Sequence, residues 1–211
     1  MHSRRLLDTE NPNVTVKVTR CGYTGEDGVE IECPPDSVTS FAGRIIEGTD
    51  VKLAGLVTRD ILRLEAGMCL AGQDFDESIT PIEASLGFVI SKLRIQSQKF
   101  PGFAKIVDQI RNGVSRKRFG FVLQGLGPVP RPGNRILLGL DHNLVGHITS
   151  GTFSPHVNAN IAMGYLSGEN TLHLKSLAKA GENGQLAVEI RSHTYPMRLV
   201  KLPFVSHYSR S

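Results

Sequence analysis

From residue 116 onward the chain is a succession of short apolar runs cut by turn-forming residues. That rhythm restricts its fold more than any other feature. The runs are 119–123, 136–138, 145–149, 161–166, 172–174, 186–190 and 197–202. Between them lie 125–133, rich in Gly and Pro, then Asp141-His142-Asn143, 167–170 and 181–184. Short strands at regular spacing, bounded by turn signals, read as a small all-β sandwich or barrel. A β-domain is therefore expected over residues 116–211, behind a part of different texture over 1–115.

In that first part strands and helices alternate. Val14, Val16 and Val18 alternate with Thr15, Lys17 and Thr19, and Val29 and Ile31 alternate with Glu30 and Glu32. Strict alternation is the period of a half-buried strand. Asp27-Gly28 is a favoured hairpin turn pair, because glycine tolerates positive φ. The spacing then predicts a helix over 36–47, capped by Asp36. Val38, Phe41, Ala42, Ile45 and Ile46 lie on its apolar face, and Gly48 follows as a stop.

Thr58 is the expected cap of a second short helix whose apolar side carries Ile61 and Leu64. Arg59 would sit at its first position, at the positive end of the helix dipole, with Arg63 one turn on. Asp60 pairs with Arg63 in this reading. Arg59 is left to seek an anion elsewhere, or a plain surface salt bridge. Thr80-Pro81-Ile82-Glu83 has the form of a capping box with proline at the first helical position. A short helix, a strand around 87–90 and a helix near 103–111, ended by Asn112-Gly113, should follow it.

Composition narrows the class. A chain of 211 residues with 40% hydrophobic and 21% charged residues has the balance of a soluble globular protein. It is long enough to bury roughly 70% of its unfolded surface. No apolar run reaches the ~18 residues of a membrane span, so no membrane partner is expected. Cys21, Cys33 and Cys69 are odd in number and lack metal-type spacing, which suggests a reducing compartment and buried thiols instead of a disulfide framework. The seven histidines form no metal-type pattern, so no metal is expected. The net charge of +4 conceals a segregation. Residues 1–91 are net −7, and residues 92–118 are net +7, with Lys92, Arg94, Lys99, Lys105, Arg111, Arg116, Lys117 and Arg118 against Asp108 alone. An electropositive segment of this kind steers an acidic protein or a polyanionic tail.

The chemistry concentrates in residues 20–32. Glu30 and Glu32 project from one strand face, and Tyr23 enters the loop ahead of them. A carboxylate on a rigid strand beside an aromatic reads a flat, amino-bearing heterocycle through paired hydrogen bonds and stacking. A nucleic-acid module is the competing class. Lys117-Arg118-Phe119-Gly120-Phe121-Val122 partly imitates an RNA-stacking octamer. It departs from that pattern at Arg118 and Gln124, so no nucleic acid is expected. Gly22, Gly25 and Gly28 lack the spacing of a dinucleotide fingerprint.

The runs CGYTGEDGVEI (21–31), LAGLVTRDILRLEAGMCL (53–70) and TPIEASLGF (80–88) resemble the glycine cleavage system T-protein family, the aminomethyltransferases. Residues 100–102, 131–133, TSGTFSP (149–155), NIAMGY (160–165) and KLPFV (201–205) match it in the same order. The resemblance implies an α+β fold: partial folate-binding α/β lobes over 1–115, then a C-terminal antiparallel β-barrel over 116–211. It implies transfer of a one-carbon unit from the aminomethyl-lipoyl arm of the H-protein to tetrahydrofolate, with release of ammonia. The mitochondrial matrix is the implied compartment. Carried over by position, Tyr23 lies near the pterin, Glu30 pairs with its amino-pyrimidine edge and Arg59 lines the substrate cavity. Tyr208 and Arg210, in the tail, also reach that cavity.

The family's catalytic aspartate lies upstream of the hairpin motif, and no residue here is matched to it. The first lobe is expected to be only partly present, leaving faces such as Val14, Val16 and Val18 open to water. A catalytically incomplete folate- or partner-binding remnant is the alternative reading. On that reading residues 1–211 alone release little ammonia, unless Asp60 or Asp74 serves as the acid.

Overall fold

Six strands of the second half close on themselves, as the turn rhythm requires. The structure is a computed structural model that describes residues 3–8, 12–47, 50–139 and 141–206. The barrel follows three strands of the first part, β1 (Ser3–Leu7), β2 (Thr15–Arg20) and β3 (Val29–Glu32), and comprises β4 (Arg116–Leu123), β5 (Arg135–Leu138), β6 (Asn143–Ser154), β7 (Ala159–Ser167), β8 (Leu186–Ile190) and β9 (His193–Val200). Its strand order is β4-β7-β6-β5-β8-β9, every neighbouring pair is antiparallel, and β9 returns to β4. Closure satisfies every strand edge, which an open sheet of this size cannot do.

Period-two alternation separates two buried surfaces in the barrel. Phe121, Leu123, Ile148, Ala162, Leu166, Val188, Met197 and Leu199 belong to the main core. The opposite side of β7 carries Ile161 and Met163, which pack with Leu64, Val122, Leu202 and Phe204. Strands β6 and β7 approach unusually closely. A Cβ on Gly146 would lie 1.9 Å from the Tyr165 carbonyl oxygen, and one on Gly164 would lie 2.4 Å from that of His147.

One of the expected strands is a helix. Residues 172–174 fall in α5 (Thr171–Glu182), which buries Leu174 and Leu177 against the main core. Asn170 caps it, its side chain accepting from the His173 N–H at 2.9 Å. A three-residue apolar run is compatible with either period, and here the cap decided.

Residues up to Arg63 form one compact unit, and Leu64–Val205 another. In the first, β1 (Ser3–Leu7), β2 (Thr15–Arg20) and β3 (Val29–Glu32) form a three-stranded antiparallel sheet. Val14 and Val16 are buried in this unit, contrary to expectation, whereas Val29 and Ile31 are exposed. Helix α1 (Val38–Ile46) starts two residues after Asp36, behind a 3-10 turn at Pro35–Ser37, and no side chain caps it. Proline 35 fixes φ for that tight turn and displaces the expected cap.

Helix α2 (Leu56–Glu65) starts two residues before Thr58. The Arg59 N–H already bonds to the Gly55 carbonyl at 3.1 Å, so Arg59 is a fourth helical residue and not a first. In the second unit the Thr80/Glu83 capping box does form. The Thr80 N–H donates to Glu83 Oε2 (2.8 Å), and the Glu83 N–H to Thr80 Oγ1 (3.2 Å). It supports one turn only, because Ser85 takes φ 59° and breaks the helical path. Residues 87–90 form a 3-10 turn at Gly87–Val89 instead of a strand. Helix α4 (Phe103–Asn112) matches expectation, with Gly113 at its end, and α3 (Lys92–Ser97) precedes it.

Candidate functional site

The hairpin joining β2 and β3 carries the candidate site. Lys17 pairs with Glu32 across the strands, Val18 with Ile31, Thr19 with Glu30 and Arg20 with Val29. The strands end at Arg20 and resume at Val29, so residues 21–28 make an eight-residue loop. Asp27-Gly28 is therefore not a two-residue turn. The positive φ falls on Gly25 (80°), and Asp27 instead accepts a hydrogen bond from Arg20 at 2.8 Å.

Register separates the two carboxylates that the sequence makes look equivalent. Glu32 is matched by Lys17, whose Nζ lies 2.6 Å from Glu32 Oε1. Glu30 faces Thr19 and has no cationic partner among the described residues. Its neighbour is the Cys21 thiol, which donates a hydrogen bond to the Thr19 carbonyl oxygen at 3.7 Å. The Glu30 carboxylate, followed by burial, raises the thiol pKa above its ordinary value. The thiol therefore stays protonated, and Glu30 remains an exposed acceptor on a strand.

Arg59 resolves its position differently from the sequence expectation. Its guanidinium stacks 4.6 Å above the centroid of the Tyr23 ring. The cation awkwardly placed in the first turn of α2 is thus met by the ring's negative face instead of a carboxylate. Asp60 binds Arg63 Nε at 2.8 Å, as expected, and Arg63 is almost fully buried. The structure brings Tyr23 and Arg59 together, and it places Glu30 on the strand leaving the same loop. Tyr208 and Arg210 lie outside the described residues.

Two polar clusters in the second unit escaped the sequence reading. Asp74 is fully buried; its Oδ1 accepts from Thr149 Oγ1 (2.5 Å) and Ser150 Oγ (2.6 Å), and its Oδ2 from the Leu70 N–H (2.8 Å). Oδ1 ties the segment before β4 to the barrel strand β6, and Oδ2 braces the turn within that segment. Glu65 accepts from Ser154 Oγ at 2.6 Å and is 2.8 Å from His156 Nδ1, while its backbone oxygen takes the N–H groups of Phe204 and Val205. Partners 75 to 91 residues apart leave no local signal. The pieces of the RNA-like octamer are used internally: Phe121 lies in the main core, and Arg118 donates to the Ala84 carbonyl from a buried position.

Comparison with known proteins places the chain in a family. The family model described as the GCVT N-terminal domain matches residues 3–94, and that of the glycine cleavage T-protein C-terminal barrel domain matches 116–206. The chain belongs to the glycine cleavage T-protein family. It is 45% identical over 193 residues to the mitochondrial aminomethyltransferase of Gallus gallus, covering 91% of this chain and 46% of that protein. The Saccharomyces cerevisiae mitochondrial aminomethyltransferase is 43% identical, over 92% of this chain and 48% of its own length. A crystal structure of the glycine cleavage system aminomethyltransferase T from Bartonella henselae superposes with a TM-score of 0.78 at 33% identity. That match covers 90% of this chain and 50% of the other. This T-protein family member spans about half the length of the relatives it matches.

Proposed function

We propose that this chain contributes the folate-reading part of an aminomethyltransferase. The reaction moves a one-carbon unit from the aminomethyl-lipoyl arm of an H-protein to tetrahydrofolate and releases ammonia. The observation that carries the reading is the Arg59–Tyr23 stack at 4.6 Å, beside a strand that presents Glu30 without a cation. Glu30 would accept from the amino and ring N–H groups of the pterin edge, a paired, charge-assisted contact. Tyr23 would supply an aromatic face, and Arg59 a positive charge for the anionic portions of the substrates. Tyr208 and Arg210 would complete the cavity from the tail. The mitochondrial names of the relatives support the matrix as the working compartment.

The test is calorimetric titration of tetrahydrofolate into the protein and its variants. Glu30→Gln should weaken binding by about tenfold or more, since a charge-assisted hydrogen bond contributes ~1.5–3 kcal/mol. Glu32→Gln should matter far less, because Lys17 already engages that carboxylate. Equal affinities for the wild type and Glu30→Gln would refute the role. An assay of ammonia release from the aminomethylated carrier protein, run in parallel, separates transfer from binding alone.

A further inference from the structure

A cleft at one end of the barrel, in the second unit, has the construction of a binding site. It encloses about 410 Å³ and is lined by Pro128, Val129, Arg131, Asn134, Ile190 and Arg191. That volume falls in the range of roughly 300–1,000 Å³ typical of small-molecule pockets. Two arginines share it, and neither makes an ion pair among the described residues. The neighbouring Arg135, by contrast, is paired with Glu189 at 3.0 Å.

Both walls are fixed. On one side, Asn160 Nδ2 donates to the Gly127 carbonyl (2.8 Å), and the Gly133 N–H bonds to the Ile148 carbonyl (2.9 Å). Prolines 128, 130 and 132 stiffen the chain between those anchors. The Arg131 N–H donates to Asn134 Oδ1 at 2.7 Å, which ties the arginine's backbone to the amide that lines the cleft beside it. On the other side Arg191 stands in the two-residue turn between β8 and β9, where Ile190 pairs with His193. Arg191 and Ser192 both have positive φ, 51° and 64°. Such turns favour Asn-Gly, because residues with larger side chains are strained there. Strain carried by a cation at a cleft, where asparagine or glycine would relax it, is the kind of outlier associated with ligand contact. Ile190, only 6% exposed, and Val129 supply an apolar floor.

From this juxtaposition we infer a binding site for a small organic carboxylate with an apolar body. Arg131 and Arg191 would take the carboxylate in bidentate fashion, the Asn134 amide would add a donor, and Val129 and Ile190 would receive the alkyl or aryl portion. This site is separate from the folate reading and stands without it.

The experiment is a nitrogen-15 NMR titration of the protein with 4-phenylbutyrate, phenylphosphonate and the neutral 4-phenylbutanol. The carboxylate should produce saturable shifts at the amides of Arg131, Asn134 and Arg191, with at least tenfold weaker binding of the alcohol. Arg131→Gln and Arg191→Gln should each weaken the carboxylate severalfold while the other barrel resonances stay in place. Equal binding of the alcohol, or no saturable shift at these amides, overturns the site. Tighter binding of phenylphosphonate overturns the carboxylate assignment in favour of a phosphate-bearing ligand.

Discussion

The two units handle apolar surface in opposite ways. The barrel closes its hydrogen bonding in a ring and buries Phe121, Ile136, Ala162, Leu166 and Val188 completely. Among the described residues the three-stranded sheet has two open edges, β1 and β3, and leaves Leu6, Val29 and Ile31 substantially exposed. A small open sheet is marginal by itself, whereas a closed barrel is a self-sufficient core. Yet of the residues proposed to read the substrate, Glu30 stands on the open sheet and Tyr23 on the loop joining two of its strands. On that proposal the binding residues would belong to the more yielding element, where a ligand would complete the ordering. The barrel supplies stability.

A pair of glycine substitutions puts that difference to the hardest test. Gly146→Ala forces a Cβ into the Tyr165 carbonyl between β6 and β7, and should cost about 3 kcal/mol of barrel stability in urea denaturation. Gly43→Ala in α1 of the first unit meets nothing within 4 Å and should stabilise by about 0.5–1 kcal/mol through helix propensity. If Gly146→Ala were neutral, the barrel would not be the rigid half.

Glu83 sharpens the comparison through pH. Burial works to raise its pKa, but the Thr80 N–H, the Thr80 hydroxyl and Arg116 outweigh that and hold it below the usual carboxylate value. A depressed folded pKa stabilises the protein above the unfolded value of about 4.3 and loses that contribution as pH falls through the folded value. Glu83→Gln keeps an oxygen acceptor for Thr80 but removes the charge. It should lower stability by about 1 kcal/mol at neutral pH, with the gap from wild type closing in acid. A gap that stayed constant down to pH 3 would show that the charge is irrelevant there.

The smallest effect is expected in the sheet. Tyr23→Leu removes the ring beneath Arg59 and should cost only about 0.5–1 kcal/mol, as an exposed cation–π pair does. Faster amide exchange should be confined to the loop of residues 21–28, and Tyr23→Phe should restore protection. Loosening of the barrel amides in the leucine variant would contradict the separation of roles.

Much of the fold was legible from residue pattern. The barrel strands, α4 and the alternation of β2 and β3 follow from period and turn chemistry, which are local. The errors were also local in origin. The run at 172–174 was too short to distinguish a strand from a helix until Asn170 capped it, and Pro35 and Ser85 redirected segments whose caps looked sufficient. For the site, Tyr23, Glu30 and Arg59 were visible as a motif, but the partner of Arg59 was not. A cation can be satisfied by an anion or by an aromatic face, and only the folded loop shows which is within reach.

The sequence by itself determined the alternating strands, the barrel's turn positions and the concentration of polar chemistry around residues 20–32, because each depends on neighbours a few residues away. It could not rank Glu30 above Glu32 by local pattern, since the two differ only in what lies across the sheet. The tertiary structure distinguishes them through register, setting Lys17 against Glu32 and Thr19 against Glu30. It also decided the fate of Asp74 and Glu65, whose side-chain partners in the barrel lie 75 or more residues away. Hydrogen bonds are short-range in space and indifferent to separation along the chain, so only the folded arrangement fixes which carboxylates hold the protein together and which stay exposed.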